Sequence, residues 1–320
     1  MRLLHRSSGL DLILGVGLVG EQVAEAARRL PGSRLLSDET IPTDWDDLSL
    51  DAASAKVREL APTRVRLFWC AGKAGFGADP AQCDGEQRRF ETVLRWAERV
   101  EVPLEFHLAS SAGGLHEGQL LVSSPHAVTT ARPYAKLKWE QEQALAASKL
   151  GARFVYRLSS VYGLPAPSRR LGLISTLVLN ALRHRATLIT AHASTQRDFV
   201  AAADVGRFMA LEEKPEGLHY LVSGNPLSIW ALQLAVERSL LRPVSVVYSV
   251  RKDNVESTSF LPSMRPAHWD ASSVESNLPR IAQAAQCLPL PERTGGLAPR
   301  GKERVGERAS PHPGGSGSPQ

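Results

Sequence analysis

Tyr134 and Lys138 are the pair whose residue types and spacing most directly suggest chemistry. They lie four residues apart in a predicted helix, so their side chains share one helix face and can enter one cleft. A tyrosine, with an ordinary pKa of about 10, is a poor base at neutral pH, but a neighbouring ammonium group stabilises its phenolate. Such a pair can remove a proton from a hydroxyl group.

A pair of serines ends the predicted strand 104–110 that precedes this helix. Ligands of open α/β sheets bind beside the carboxyl ends of the strands, so Ser111 is placed to hydrogen-bond the oxygen whose proton Tyr134 removes. A Tyr-x-x-x-Lys pattern alone also fits a solvated helix with a half-buried tyrosine. Ser110 and Ser111 upstream, together with the glycines described next, favour the catalytic interpretation.

Three glycines, Gly15, Gly17 and Gly20, follow an apolar strand and open a predicted helix. In such a motif the first glycine permits a tight turn, the second admits a pyrophosphate and the third lets the helix pack on the strand, with Leu18 and Val19 between them. The amino end of the helix favours bound phosphates. The sequence therefore predicts a dinucleotide site, although a glycine-rich turn without a ligand would show the same pattern.

Asp38 lies 18 residues beyond Gly20, close to the offset at which a carboxylate hydrogen-bonds the adenosine ribose. This spacing favours NAD over NADP, because the carboxylate would repel a 2′-phosphate. The alternative is a loop carboxylate beside Glu39.

Strands and helices alternate along the chain, which is typical of βαβ units. The predicted strands are 10–14, 33–37, 64–70, 104–110 and 152–159, and the predicted helices are 18–30, 52–60, 86–99, 133–149 and 172–184. We expect an α/β fold of the Rossmann type, a doubly wound parallel sheet with a smaller C-terminal substrate-binding subdomain. The expected domains are 1–163 for the dinucleotide and catalytic residues, 164–292 for the substrate, with some segments returning to the first domain, and 293–320 as a disordered tail.

Composition bounds the classes of protein that fit. The 320 residues include 43% apolar ones, enough for a core, yet no apolar run reaches the roughly 20 residues of a membrane span, and residues 1–9 lack the apolar stretch of a secretory signal. Three scattered cysteines argue against a disulfide framework, and His107, His116 and His126 lack ligand spacing, so we expect a cytoplasmic protein without a metal. Residues 293–320 carry +3 of the net charge of +5, and the near-neutral remainder argues against nucleic acid.

Taken in order, these motifs resemble those of the extended short-chain dehydrogenases/reductases, in the NAD-dependent epimerase/dehydratase family. The resemblance spans about residues 10–290. Further segments that carry it are Arg157-Leu-Ser-Ser-Val-Tyr-Gly163, Gln196-Arg-Asp-Phe-Val200 with Ala203-Asp-Val205, and Met264-Arg265-Pro266 with Trp269-Asp-Ala-Ser272.

The resemblance implies roles for individual residues. Ser111, Tyr134 and Lys138 would be the catalytic trio, with Lys138 also holding the nicotinamide ribose. Cofactor contacts are implied for Asp47 and Leu48 at the adenine end and for Ala71 in the segment after the fourth strand. Substrate contacts are implied for Ser111, Ser160, Arg197 and Arg265, the two arginines binding a diphosphate. The implied partners are a nucleotide sugar, NAD and a second copy of the chain.

The sequence also departs from the family. Leu14 stands where a first glycine is usual, Ser160 and Glu86 replace frequent asparagines, and Ala112-Gly113 replaces the Asp-Glu pair that sugar dehydratases use. The last difference argues against dehydration. We therefore expect an NAD-dependent epimerase acting on a nucleotide-activated sugar through a keto intermediate. The alternatives are an NAD(P)H-dependent keto-sugar or carbonyl reductase, and a non-catalytic dinucleotide-binding or RNA-binding protein on the same fold.

Overall fold

A seven-stranded sheet forms the centre of the protein. This computed structural model describes residues 1–45, 48–163, 171–251, 254 and 256–287. The order of strands in the sheet is β11-β6-β5-β4-β2-β1-β3. Their bounds are β1 (Arg2–Arg6), β2 (Gly9–Leu14), β3 (Leu35–Thr40), β4 (Val65–Trp69), β5 (Leu104–Ser111), β6 (Ala152–Leu158) and β11 (Gly217–Leu221).

Helices cover both faces of this sheet, as in a doubly wound fold. One face packs on α1 (Leu18–Arg28) and α7 (Ala202–Ala210). The other face packs on α2 (Asp51–Leu60), α3 (Pro80–Ala97) and α5 (Pro133–Ala147). Neighbouring strands from β2 through β4, β5 and β6 to β11 are parallel. The predicted fold class is therefore confirmed.

A smaller apolar cluster lies in the C-terminal half of the chain. It is built from three helices, α6 (Leu173–Leu182), α8 (Ile229–Leu240) and α9 (Val274–Gln286). Short strands accompany them, namely β7 (Ser160–Tyr162), β8 (Thr187–Ile189), β9 (Gln196–Arg197), β10 (Phe199–Ala201), β12 (Leu227–Ser228) and β13 (Val246–Tyr248). The strand β11, which also lies late in the chain, returns to the central sheet. The predicted tail, 293–320, lies outside the described residues.

The first strand was not predicted. A turn at Ser7 and Ser8 joins β1 to β2 as an antiparallel hairpin, and β1 also pairs with β3. β1 therefore lies between β2 and β3, which the dinucleotide-binding motif would place side by side. Arg6 is buried in this hairpin because it donates to Asp11 at 3.0 Å and to Glu212 at 2.8 Å. A buried arginine interrupts the apolar pattern by which a strand is recognised.

Most predicted element bounds agree with the structure within a few residues, and α3 differs most. It begins at Pro80, six residues before the predicted start. Asp79 accepts from the backbone N–H of Gln82, and the Gln82 side chain accepts from the backbone N–H of Asp79, which is a complete capping box. The helix also contains Gly85, a poor helix former, which explains why the sequence predicts a helix only from residue 86 onward. Among the described residues, no helix has both the length and the apolar character needed to cross a membrane.

Candidate active site

The glycine turn joins β2 to α1 with almost no side-chain volume. Gly15 has φ +87°, and a Cβ on it would lie 2.3 Å from the backbone of Ala71. A Cβ on Gly20 would lie 2.2 Å from the carbonyl oxygen of Gly15. Gly17 is the N-cap of α1 and offers no capping side chain, so the amino end of the helix is left available to an anion.

Two adjoining cavities lie near the catalytic candidates, and the smaller one reaches this turn through Val19. The smaller, of about 300 Å³, extends from the turn to the catalytic candidates and is lined by Val19, Ala71, Ser111, Tyr134 and Lys138, among others. The larger, of about 710 Å³, continues toward the C-terminal half of the chain. Four residues line both cavities, and they are Ser111, Tyr134, Ser159 and Val161. A ligand in one cavity would therefore meet a ligand in the other at these residues.

The structure brings the three predicted catalytic residues together. Tyr134 and Lys138 lie one turn apart near the start of α5, with the Lys138 ammonium 5.8 Å from the centre of the Tyr134 ring. Ser111 ends β5, and its hydroxyl accepts from the backbone N–H of Gly114 at 2.9 Å. A Cβ on Gly114 would lie 3.1 Å from the Ser111 hydroxyl and 3.2 Å from the tyrosine ring, so both groups flank this small residue.

A buried ion pair holds α5 against the sheet. Glu142, one turn beyond Lys138, accepts from Arg157 of β6 at 2.7 and 3.0 Å and from the Ser110 hydroxyl. Arg157 also donates to the Tyr220 hydroxyl of β11 and to the backbone oxygen of Pro125 at 2.9 Å. Both charges are desolvated and fully partnered, which makes the arrangement rigid and costly to break. The helix α5, which carries Tyr134 and Lys138, is thereby fixed to the ends of β5, β6 and β11.

Lys138 is paired with an acidic residue inside the protein. Its ammonium donates to Glu86 at 3.3 Å and to the side-chain oxygen of Gln141 at 3.0 Å. Burial alone would lower the pKa of Lys138, but attraction by the Glu86 carboxylate and by Tyr134 outweighs it and raises that pKa. Lys138 is therefore a cation at neutral pH in spite of its burial.

Ser159 offers a polar group without a partner. Its hydroxyl is buried, it lines both cavities, and none of the described residues forms a hydrogen bond with it. An unsatisfied buried hydroxyl costs about 1–3 kcal/mol, which a bound ligand would recover. This residue was not predicted as a site residue, because the resemblance assigns a role to its neighbour Ser160. Together with the glycine turn, it shows that the smaller cavity suits a polar dinucleotide end.

The larger cavity carries basic side chains. Arg197, which was predicted, lines it and donates to the side-chain oxygen of Asn254 at 3.4 Å and to the backbone oxygen of Glu256. Burial lowers the pKa of Arg197 and leaves a poorly solvated cation. Arg251 also lines the cavity, although no motif marked it. Arg265 is exposed and outside the cavity lining, and it donates to the backbone oxygens of Pro262 and Ser223 at 3.3 Å.

An aromatic and ionic cluster forms the rim near Tyr134. The guanidinium of Arg132, two residues before Tyr134, lies 4.1 Å from the centre of the Phe76 ring. It also donates to both carboxylate oxygens of Glu117 at 2.5 and 2.6 Å. Phe76 lies in the loop after β4, so this cluster ties that loop to the start of the catalytic helix. Ser160 of β7, another predicted substrate residue, lines the larger cavity as well.

Predicted contacts at the adenosine end have different surroundings from those expected. Asp38 accepts from Arg2 at 2.5 and 2.8 Å and from Arg28 at 2.7 Å. Asp38 and Asp11 both pair with Leu4 of β1, so Asp38 lies beside the middle of β2 and not beside the glycine turn at its end. Leu48 is partly buried against the main core. Asp47 lies outside the described residues.

Other candidates have structural roles. Burial raises the pKa of the Cys70 thiol to about 12, so it is no nucleophile at neutral pH. His107 is fully buried and bonded to the Tyr156 hydroxyl at 2.9 Å, and His116 is bonded to the Tyr220 hydroxyl at 2.8 Å. His126 is exposed.

Comparison with solved structures shows the same fold in several epimerases. UDP-glucose 4-epimerase from Thermus thermophilus, solved in complex with NAD, superposes with a TM-score of 0.70 at 19% identity, over 87% of this chain and 98% of that one. The enzyme of the same name from Thermotoga maritima, solved with UDP-glucose, gives 0.69 at 17% identity, over 86% and 98%. ADP-L-glycero-D-manno-heptose-6-epimerase from Helicobacter pylori gives 0.62 at 16% identity, over 78% and 79%.

Sequence comparison finds a similarity to one family in the centre of the chain. No curated protein sequence matches significantly. The sequence profile of the NAD dependent epimerase/dehydratase family matches residues 84–222, which include the whole catalytic trio and Arg197. The resemblance inferred from the motifs is therefore confirmed: residues 84–222 carry the pattern of the NAD dependent epimerase/dehydratase family, on a fold that solved nucleotide-sugar epimerases share.

Proposed function

We propose that this protein is an NAD-dependent epimerase of a nucleotide-activated sugar. The observation that carries the proposal is the meeting of the two cavities at Ser111 and Tyr134. One cavity adjoins a turn suited to a dinucleotide, and the other contains the arginines Arg197 and Arg251, which suit a diphosphate. The reacting carbon of a sugar would lie where they join.

The chain's own residues perform the proton transfer in this proposal. Tyr134 removes the proton of a sugar hydroxyl, and Lys138 stabilises the phenolate that does so. Ser111 hydrogen-bonds the same oxygen, which becomes a carbonyl. When bound, NAD supplies the chemistry of reversible hydride acceptance. Tyr134 would then return its proton to the same oxygen as the carbonyl becomes a hydroxyl again, so the conversion requires no net oxidation.

NAD fits the residues that surround the smaller cavity. Gly15 and Gly20 let the turn pack closely on Ala71 and on itself, Gly17 leaves the amino end of α1 open, and Ser159 offers an unpartnered hydroxyl. Lys138 would hold the nicotinamide ribose. The Thermus thermophilus structure, with the same fold, is a complex with NAD, which supports this choice.

Replacement of Tyr134 by phenylalanine tests the mechanism. A panel of nucleotide sugars with and without NAD, screened by the rise in melting temperature, would first identify the substrate. We then expect Tyr134→Phe to lower turnover by about 10²–10⁴-fold while NAD affinity stays nearly constant. Epimer formation is followed by NMR and cofactor binding by calorimetry. Turnover equal to that of the wild type would contradict the mechanism.

Cofactor stoichiometry distinguishes this function from its main alternative. An epimerase produces no net NADH, whereas a keto-sugar or carbonyl reductase oxidises one equivalent for each product formed. The absorbance of NADH during a complete reaction decides between them. A non-catalytic or RNA-binding protein would show neither product, and the buried Lys138 beside Tyr134 argues against it. The homodimer and the cytoplasmic location that we expect from the sequence remain predictions.

A further inference from the structure

Glu86 is an unusual neighbour for the catalytic lysine. It lies on α3, is 1% exposed, and belongs to no motif that assigns it a role. Its carboxylate accepts from Lys138 at 3.3 Å and from the backbone N–H of Ala74 at 3.1 Å. A Cβ on Gly72 would come within 2.7 Å of one of its oxygens. The carboxylate therefore lies directly behind the loop that lines the smaller cavity.

The charges around this cavity are few. Among its described lining residues, Lys138 is the one basic side chain. Cys70 remains a neutral thiol because burial raises its pKa to about 12. Farther away, Arg132 is bonded to Glu117, and Arg197, Asp198 and Arg251 line the larger cavity. Glu86 and Lys138 thus form a neutral pair beside a space that a lone lysine would make positive.

We propose that Glu86 is a positioning residue that biases the smaller cavity toward the oxidised form of a nicotinamide dinucleotide. The oxidised ring carries a positive charge and the reduced ring carries none, so a buried ammonium alone would disfavour the oxidised form. Glu86 cancels this repulsion at short range. The inference rests on the proposed cofactor site, and it deepens the proposed function because an epimerase must begin each cycle with NAD⁺.

A neutral replacement of Glu86 tests the inference through binding, without turnover. The quantity measured is the ratio of the Kd for NADH to the Kd for NAD⁺, obtained by calorimetry on the full chain. We expect Glu86→Gln to lower this ratio by about tenfold, the order expected for one charge near the ring at an effective dielectric constant near 20. Damage to the fold would weaken both forms alike and leave the ratio unchanged.

Matched variants separate charge from shape. Glu86→Asp keeps the charge and should keep the ratio within about twofold, even if both affinities fall. Glu91→Gln, the same change at a partly exposed position of α3, should alter nothing. Glu86→Asn provides a second neutral residue in case the glutamine variant does not fold. Lys138→Met removes the cation and should raise the ratio, which tests the same charge balance with Glu86 intact.

The outcomes distinguish the role of Glu86 from the proposed function of the protein. A ratio that is unchanged in folded Glu86→Gln or Glu86→Asn would overturn the role of Glu86, even in an active epimerase. A shifted ratio in a protein that converts no nucleotide sugar would support the role of Glu86 and refute the proposed function. A chain that binds neither NAD⁺ nor NADH would refute both.

Discussion

Two arginines that look alike in the sequence have different surroundings in the structure. Both are exposed, but Arg251 lines the larger cavity, whereas Arg265 lies outside its lining and donates to two backbone oxygens. A guanidinium that hydrogen-bonds a phosphate contributes about 1.5–3 kcal/mol. We therefore expect Arg251→Gln to raise the KM for the nucleotide sugar by about tenfold or more, because the diphosphate loses a charged donor.

The matched control is Arg265→Gln, which should leave the KM within about twofold of the wild-type value. Both variants are assayed with the nucleotide sugar that the screen identifies, and the affinity for the free nucleoside diphosphate is measured by calorimetry. The opposite result, a large effect at Arg265 and none at Arg251, would restore the assignment made from the motif. A motif fixes the order of residues along the chain, but not the direction in which a loop carries their side chains.

At the level of secondary structure, β1 separates β2 from β3, the strand that carries Asp38. Because β1 lies between β2 and β3, Asp38 is two strands from β2 and level with its middle. Its carboxylate binds Arg2 and Arg28, and these contacts outweigh burial and lower the pKa of Asp38. We therefore propose that Asp38 stabilises the edge of the sheet and does not select the cofactor.

Asp38→Asn tests this role. We expect the free energy of unfolding at pH 7 to fall by about 1 kcal/mol, an estimate reduced because the pair is partly exposed to solvent. The contribution of a carboxylate with a lowered pKa is present above its ordinary pKa and is lost as the pH falls through its folded-state value, so the deficit should diminish in acid. The relative affinity for NAD and NADP should stay within about twofold.

Urea unfolding and calorimetric titration measure the two effects, with Glu39→Gln as the control, because Glu39 is partly exposed and its carboxylate pairs with Lys56. A tenfold or larger gain in NADP affinity in Asp38→Asn would show that Asp38 contacts the ribose after all.

Elements with a regular pattern of apolar residues were predictable from the sequence, whereas elements stabilised by buried ion pairs were not. Strands β4, β5 and β6 consist largely of buried apolar residues, and Tyr134, Lys138 and Ser111 follow from spacing on regular elements. Arg6, in contrast, is buried because Asp11 and Glu212 neutralise it, and these partners come from other strands and from beyond α7. The pairing of Glu86 with Lys138 likewise joins two helices that are far apart in sequence. Such contacts depend on tertiary structure, so a local pattern carries no signal for them.

At the scale of the whole molecule, a buried cluster of charge lies on the face of the sheet that packs on α1 and α7. Asp11 accepts from Arg66 at 2.7 Å and from Arg6 at 3.0 Å, and all three are nearly inaccessible to solvent. His107 lies on the same face of the sheet, where burial keeps its pKa well below the ordinary value. This cluster binds the hairpin, β4 and the turn after α7 into one unit. Removing one partner from such a network would leave a buried charge unpaired, at a large cost in free energy. The cluster therefore holds β1 in its position between β2 and β3.

Lys214 connects this cluster to the pH dependence of stability. Its ammonium lies 5.0 Å from the centre of the Phe154 ring and donates to the backbone oxygens of Met209, at 3.1 Å, and Leu211. Burial, aided by repulsion from Arg66, lowers the pKa of Lys214 from 10.5 to about 7. Between these two pH values the unfolded chain binds more protons than the folded chain, so the free energy of unfolding rises with pH across this window.

Lys214→Met should therefore raise the free energy of unfolding more at acidic pH than at alkaline pH. Below pH 7 both states of the wild type hold the proton and the full cost of the buried charge is present, so the variant gains most there. We expect the difference between variant and wild type to favour the variant by at least about 1 kcal/mol more at pH 6 than at pH 9, since one unit of pKa shift corresponds to about 1.4 kcal/mol. Urea unfolding at both pH values measures it, with Lys136→Met, on the exposed side of α5, as the control. Wild-type and variant stabilities that run parallel between pH 6 and 9 would show that Lys214 stays charged throughout, held by the two carbonyl oxygens.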